Sequence, residues 1–529
     1  MASETAALET SRRGDDGLVV AAGRFALGAA LLVFAGVVAW AGRGLRGTDQ
    51  YWYAADLVNA DTLGAASNQL YPSFSLSGAA GVGDLPPRIH NVPASWVAEG
   101  LFQLGASDYQ AWLILNAVLA LGTATACFVT ARTLGLGRAA VWAPALFLAF
   151  PLTSWLTLNA LAEMSIAFLA SLLMVGLVTA DRSGSRWGLL LAAVSSGLLF
   201  WTRENFVLAV GVFVVFCAWL RVRRHWPLRP LVLCTIGALG FLLTRSVVFD
   251  AYPTAGLKAA LMATAPGTSR PMGLYYGPVE FHLGPFVEKL VSGAVSSVIP
   301  SEVVELVTES SLIVGALIAS ILAWRRHGNR TLVALLVAML GVYVATCMLY
   351  QSQNRYLYVV APIAAVAIAL AVQSMPTGRP RIPAIVGWVV CGIAVVGLLG
   401  GSLLMAREYR NSASAETQAV ATIRDTLSTT EGPLLATGSN AAVITTSYSV
   451  APRVVLVADS AINSTAEVAT LLDRWGARAL LGPSSDGPFL AEAVEQAFPG
   501  AELSHKGTVD TPGGALELWS VTPSGSADR

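Results

Sequence analysis

Long apolar runs separated by short polar breaks fill most of this chain. The first covers about residues 18 to 41, and others fall near 110–131, 139–157, 162–180, 187–201, 205–220, 230–247, 310–324, 331–350, 357–374 and 382–405. A helical bilayer crossing takes about 20 apolar residues, so the pattern predicts an α-helical polytopic membrane protein with eleven spans. Residues 1–17, MASETAALETSRRGDDG, form a polar tail, and no small-residue cleavage site follows the first run before Gly42-Arg43, so that run reads as an uncleaved span.

Arginine sets the orientation, because basic residues concentrate in short cytoplasmic loops. With the N-terminus inside, Arg12, Arg13, Arg132, Arg138, Arg182, Arg186, Arg221, Arg223, Arg224, Arg229, Arg325, Arg326, Arg330, Arg379 and Arg381 are all cytoplasmic. The short outward loops then hold only Arg203 and Arg355. Two long loops, 42–109 and 248–309, face outward from the membrane domain 18–405, and so does everything after Met405. The expected location is the plasma (inner) membrane, multi-pass, with a cytoplasmic N-terminus and an extracytoplasmic C-terminal domain.

From residue 406 to 529 the apolar runs shorten to strand length, PLLAT, RVVLV, RALLG and LELWSV, and alternate with helix-like AETQAVATIRDTL and TAEVATLLDRW. That alternation predicts a small α/β domain.

Composition agrees: 55% of residues are apolar and 12% charged, and mean hydropathy is +0.62. A soluble domain carries about 25% charge, so a soluble protein is excluded. Lysine plus arginine number 33 and so do the acids, which leaves no net field to recruit nucleic acid. Cys127, Cys217, Cys234, Cys347 and Cys391 lie in apolar runs without CxxC spacing, so neither a disulfide framework nor a thiolate metal site follows.

Candidate chemistry gathers at the outer ends of the spans. In GTDQYWYAADLVNAD a helix would put Asp49 and Asp56 on one face with Trp52 and Tyr53, offering a carboxylate at headgroup level; a solvated interfacial helix explains the same spacing. Arg88, His90 and Asn91 follow a Pro-Pro pair, and His90 could serve acid/base work or simply bond its loop. LNALAEMS puts Asn159 and Glu163 four apart, which on a helix is one face; a carboxylate at that depth is functional, or it marks a hairpin tip. Arg203 in FWTREN and Arg355 in QNRYLY break the positive-inside trend, and either snorkel or hold an anion. Tyr275, Tyr276, Glu280, His282 and Lys289 in the second long loop suit a sugar or lipid headgroup, or packing on the bundle. HExxH, GxSxG and Walker motifs are absent, which argues against metalloprotease, serine hydrolase and nucleotide-driven transport.

Carboxylates beside arginines at headgroup depth suit transfer of a group from a lipid phosphate to a hydroxyl: a general base takes the acceptor's proton and arginine stabilises the departing phosphate. The segments TDQYWYAAD, LNALAEMS, LLFWTREN and NRYLYVVAP, within residues 20 to 405, resemble the C-type superfamily of membrane glycosyltransferases, which use polyprenyl-phosphate sugars and include mannosyl-, arabinosyl- and aminoarabinose-transferring members. Gln50 stands where many members carry a second acid, and His90-Asn91 where His-Pro-Pro is common. The resemblance implies a helical bundle with a groove open to lipid, Asp49 as base, Glu163 as a second acid orienting sugar or metal, and Arg203 with Arg355 as phosphate clamp. It implies a polyprenyl-phosphate sugar donor, a glycan, lipid or protein acceptor, and no certain cofactor, with room for a divalent cation, Mg or Mn. Two other classes stay open: a transporter or flippase of a lipid-linked sugar, which would want charge at mid-membrane, and a non-catalytic envelope assembly protein, which would not need Asp49.

Overall fold

The computed structural model describes residues 2–47, 50–51, 53–54, 57–58, 92–161, 163–202, 207–248, 330–349, 359–373, 382–438, 440–450, 455–457, 465–511 and 514–522. The run near 310–324 and most of both long loops lie outside them.

The first span belongs to one helix, α1 (Ala2–Ala41), which includes the polar tail. A short helix α2 (Val92–Gln103) precedes α3 (Asp108–Ala131), whose start is fixed by a capping box: Gln110 N–H donates to Ser107 Oγ and Ser107 N–H to Gln110 Oε1, both at 3.2 Å. The expected span 139–157 is not one rod. After a π turn (Arg132–Leu136) and a 3₁₀ turn (Gly137–Val141), two short helices follow, α4 (Trp142–Ala149) and α5 (Pro151–Leu158). Proline causes the break: Phe150 before it is extended (φ −58°, ψ 123°), and Pro151, lacking an N–H, opens the next helix where no donor is needed.

Beyond come α6 (Glu163–Ser183), α7 (Arg186–Thr202), α8 (Val207–Arg224), α9 (Leu228–Val248), α10 (Arg330–Leu349) and α11 (Ala361–Gln373). The pair α6 and α7 packs backbone to backbone through glycine. A Cβ at Gly176 would stand 2.6 Å from Gly188 O, and one at Gly188 would stand 2.7 Å from Gly176 O. In lipid, where no hydrophobic force drives helices together, such close approach is what holds them. Among the described residues, Val20–Ala41, Asp108–Ala149 and Glu163–Ser183 are long and apolar enough to cross a membrane.

The last helix of the bundle, α12 (Ile382–Leu427), runs unbroken past residue 405. The AETQAVATIRDTL stretch expected in the α/β domain is thus the far end of the helix that carries the final apolar run. A five-stranded sheet follows, ordered β2-β1-β3-β5-β4, from β1 (Leu434–Ala436), β2 (Val455–Val457), β3 (Ala479–Gly482), β4 (Glu502–Thr511) and β5 (Gly514–Thr522). The first three strands are parallel, and β5 joins β3 antiparallel as one arm of a hairpin with β4. Helices α13 (Asn440–Val450), α14 (Thr465–Trp475) and α15 (Gly487–Ala497) complete the domain.

One apolar cluster seats this domain on the bundle. Leu434, Leu481 and Leu516 of the sheet share it with Val420 and Ile423 of α12, Tyr109 and Trp112 of α3, and Tyr51. The bundle therefore has two distinct ends, one under the α/β domain and one marked by the Arg224–Asp181 pair where α8 and α6 finish.

Candidate active site

Under the α/β domain, four segments remote in sequence meet in a buried polar network. The chain leaving α1 brings Gln50, the end of α5 brings Asn159, α3 brings Tyr109 and Asn116, and α12 brings Tyr409; all five side chains are buried. Each has a local reason to be there. Asn159 closes α5 in an extended conformation (φ −80°, ψ 131°), its own N–H and its side-chain amide both donating to Trp155 O. Asn116 sits inside an apolar helix and spends its amide on the following turn, donating to Asn159 O at 2.7 Å, Leu161 O at 3.1 Å and Leu156 O at 3.4 Å. A turn buried in a bundle needs such a donor, because its carbonyls are shut off from bulk solvent.

Gln50 uses both ends of its amide. Nε2 donates to Asn159 Oδ1, while Oε1 accepts from Tyr409 Oη at 3.0 Å and from the Arg46 N–H at 3.2 Å. Tyr409 Oη also lies 2.8 Å from Leu158 O and 3.0 Å from Gly44 O, and Tyr109 Oη donates to Leu158 O at 3.0 Å. Helix α12 further grips the segment through Glu416, which accepts from the Gly47 N–H at 2.8 Å, and Glu408, 3.6 Å from Arg46.

Glu163 is the expected site residue that the described structure places. It is the first residue of α6 and 2% exposed, where the helix's unpaired N–H groups favour a carboxylate. Asn159 and Glu163 do not share a helical face as their spacing suggested; the break between α5 and α6 lies between them, and both stand at one buried turn. Asp49, Asp56, His90, Arg203, Arg355, Tyr275, Tyr276, His282 and Lys289 lie outside the described residues. Just before Arg203, Trp201 is pinned: its Nε1 donates to Phe241 O at 2.6 Å, and Trp96 of α2 meets its ring edge at 6.1 Å.

The aromatic residues after Asp49 also find a different environment from the one expected. Tyr51 packs on Tyr448 of α13 (centroids 5.1 Å apart) and Tyr53 on the buried Trp112 (5.3 Å), so both face protein and not the lipid interface. The α/β domain supplies Tyr51's partner and α3 supplies that of Tyr53. Burial first, and then Glu416, push the Tyr51 hydroxyl up, while burial and Asp108 do the same for Tyr448, so both stay neutral phenols.

Sequence reasoning missed Asn116, Tyr109 and Tyr409 and treated Gln50 only as a departure. Asn116 carried a usable signal, a lone amide in the apolar run AWLILNAVLALG. Among the described residues no three of His, Cys, Asp and Glu cluster as metal ligands, and Gln50 has no free oxygen to lend one. By themselves the described residues do not build a site for Mg or Mn.

No protein-family model matches the sequence, and neither does any curated protein. Solved structures do. ArnT from Cupriavidus metallidurans in the apo state superposes with a TM-score of 0.59 at 14% identity, over 96% of this chain and 98% of that one. The same enzyme bound to undecaprenyl phosphate gives 0.58 at 13% identity, over 94% and 97%. The archaeal oligosaccharyltransferase AglB from Archaeoglobus fulgidus, in complex with an inhibitory peptide and a dolichol-phosphate, gives 0.51 at 11% identity, over 96% of this chain and 75% of that one. The resemblance to the C-type glycosyltransferases carried by the sequence motifs thus extends to the fold, from the helical bundle through the C-terminal region.

Proposed function

We propose that the protein is a membrane glycosyltransferase that moves a sugar from a polyprenyl-phosphate donor to a hydroxyl or other nucleophile of an extracytoplasmic glycan, lipid or protein. The observation that carries the reading is the fold shared over nearly the whole chain with ArnT, which is solved bound to undecaprenyl phosphate. The network adds support, since it fastens the residue after Asp49 to the turn that precedes Glu163.

In this reading the Asp49 carboxylate takes the acceptor's proton as the acceptor oxygen attacks the anomeric carbon. The bond from that carbon to the phosphate oxygen breaks, and the lipid phosphate leaves with the electron pair. Arg203 and Arg355 receive the growing phosphate charge, for which the guanidinium fork is suited. Glu163, buried at a helix start, accepts from a sugar hydroxyl and orients the ring. No step requires a soluble nucleotide. The membrane is the plasma (inner) membrane, with the α/β domain outside; the arginine pattern supports this, as does the Arg224–Asp181 pair at the end opposite the domain.

The test is Asp49→Asn in purified full-length protein supplied with polyprenyl-phosphate sugars. Loss of about a hundred- to ten-thousand-fold in turnover with normal insertion is expected. Near-normal turnover removes the base.

A further inference from the structure

The amide network has a direction, and the direction constrains residue 50. Asn159 turns its Nδ2 to Trp155 O, so its Oδ1 faces Gln50 and requires a donor there. Turned over, Asn159 would set its oxygen against the Trp155 carbonyl. On the other side, Gln50 Oε1 meets two donors, the Tyr409 hydroxyl and the Arg46 N–H, so this amide is fixed as well. Glutamine is the residue that both donates toward Asn159 and accepts from Tyr409 and Arg46 at that length. A carboxylate of the same shape would put an anionic oxygen against Asn159 Oδ1 at a position 2% exposed, and buried charge without a donor is costly.

Gln50 is covalently next to Asp49, and Asn159 opens the turn that ends at Glu163. A bond between Gln50 and Asn159 therefore ties the residue after Asp49 to the turn before Glu163, while Tyr409 locks that tie to α12. We propose that Gln50 is a positioning residue: its neutral amide, accepted in one orientation by Asn159 and Tyr409, sets the placement of Asp49 relative to Glu163. The proposal rests on the glycosyltransferase reading.

It is tested with Gln50→Glu and Gln50→Leu in the full chain, measuring kcat and KM for a polyprenyl-phosphate sugar between about pH 5 and pH 9. Titratable groups on the elements packed here include Arg43, Arg46 and Tyr51 on the same segment, Asp108 and Tyr109 on α3, Glu163 on α6, Arg407, Glu408, Tyr409, Arg410 and Glu416 on α12, and Tyr448 on α13; wild type, which carries all of them, is the reference at each pH. Once protonated, the carboxyl that Gln50→Glu introduces would be a donor again, and burial facing an oxygen holds that proton on. Gln50→Glu is therefore expected to lose kcat on the order of a hundredfold at the alkaline end of this range, where the carboxyl is ionised, the scale of a small misplacement. Its KM should stay close to wild type and the loss should shrink steadily on acidification. Gln50→Leu should be low at every pH. A ratio of Gln50→Glu to wild type that does not change with pH, whether near one or near zero, overturns the proposal.

Thermal unfolding reads the hydrogen-bond assignment without any donor substrate: Gln50→Glu should melt below wild type at alkaline pH and converge on it in acid. Indifference to pH there shows the assignment wrong. A wild-type chain without transfer activity removes the glycosyltransferase reading, and the positioning role with it, even where the melting behaviour holds.

Discussion

The two ends of the helical bundle solve the same problem differently. Under the α/β domain, a network of neutral amides and phenols is sealed from solvent, tied to one another and to nearby carbonyls: Gln50, Asn116, Asn159, Tyr109 and Tyr409. At the opposite end, polarity is carried by charge, with Arg224, its side chain 37% exposed, 3.7 Å from the buried Asp181, and the exposed Arg223 stacked on Trp219 at 5.0 Å. Buried neutral networks have strict geometry because every unmet partner costs desolvation, while exposed charges such as that of Arg223 tolerate movement because water replaces their partners. The difference teaches where accuracy is needed: at the end holding Glu163, and not at the end that carries Arg223.

Substitutions can break or sharpen that contrast. The largest effect should come from Gly176→Leu, because α6 spans both ends, with Glu163 opening it and Asp181 near its close. The added Cβ would meet Gly188 O at 2.6 Å and Ala192 N at 2.7 Å, backbone atoms that cannot yield, so the helices must part. Overpacking of this kind costs upward of about 3 kcal/mol, and little folded protein should survive size-exclusion chromatography in detergent. Next is Asn116→Ala, which strips the α5–α6 turn of its donor. A loss of about 1–3 kcal/mol by thermal unfolding is expected, with turnover falling beyond what the folded fraction explains. An unchanged turnover per folded molecule would show that the turn needs no fixed geometry. The smallest is Arg223→Ala: an exposed cation–π contact is worth about 0.5–1 kcal/mol, and both melting and turnover should stay near wild type. A large loss there would erase the contrast between the ends.

What the sequence disclosed follows from which physics leaves a periodic mark. Apolar runs located α1, α3 and α6 to α12 but merged α4 and α5 into one span, because crossing length is dictated by the bilayer while the Pro151 break leaves the run apolar. The strands β1, β2, β3 and β5 were visible as short apolar runs, and in β1, β3 and β5 the residues of those runs are core. Strand β4 was not visible: in ELSHKGTVDT only Val509 is buried, and as an edge strand its place comes from the hairpin with β5, not from its own pattern. Helix α12 defeated the domain boundary because helix formation does not stop where the apolar run ends at residue 405. At the site, Glu163 was legible as an acid within apolar sequence, whereas Tyr409 was not, because its partners Gly44, Gln50 and Leu158 are distant in sequence and two are reached through carbonyls any residue could offer.

The reach of the Gln50–Tyr409 bond, 359 residues along the chain, also has a meaning in time. At about 5–20 residues per second, roughly 20–70 seconds of synthesis separate the two partners. The first span and Asp49 are thus inserted long before the helix that fastens the segment after them exists. Until α12 emerges, Gln50 lacks the hydroxyl that its amide oxygen accepts from, and a chain that stalls or is cut before residue 409 never gains it. The network is completed late in biogenesis, by the arrival of one tyrosine.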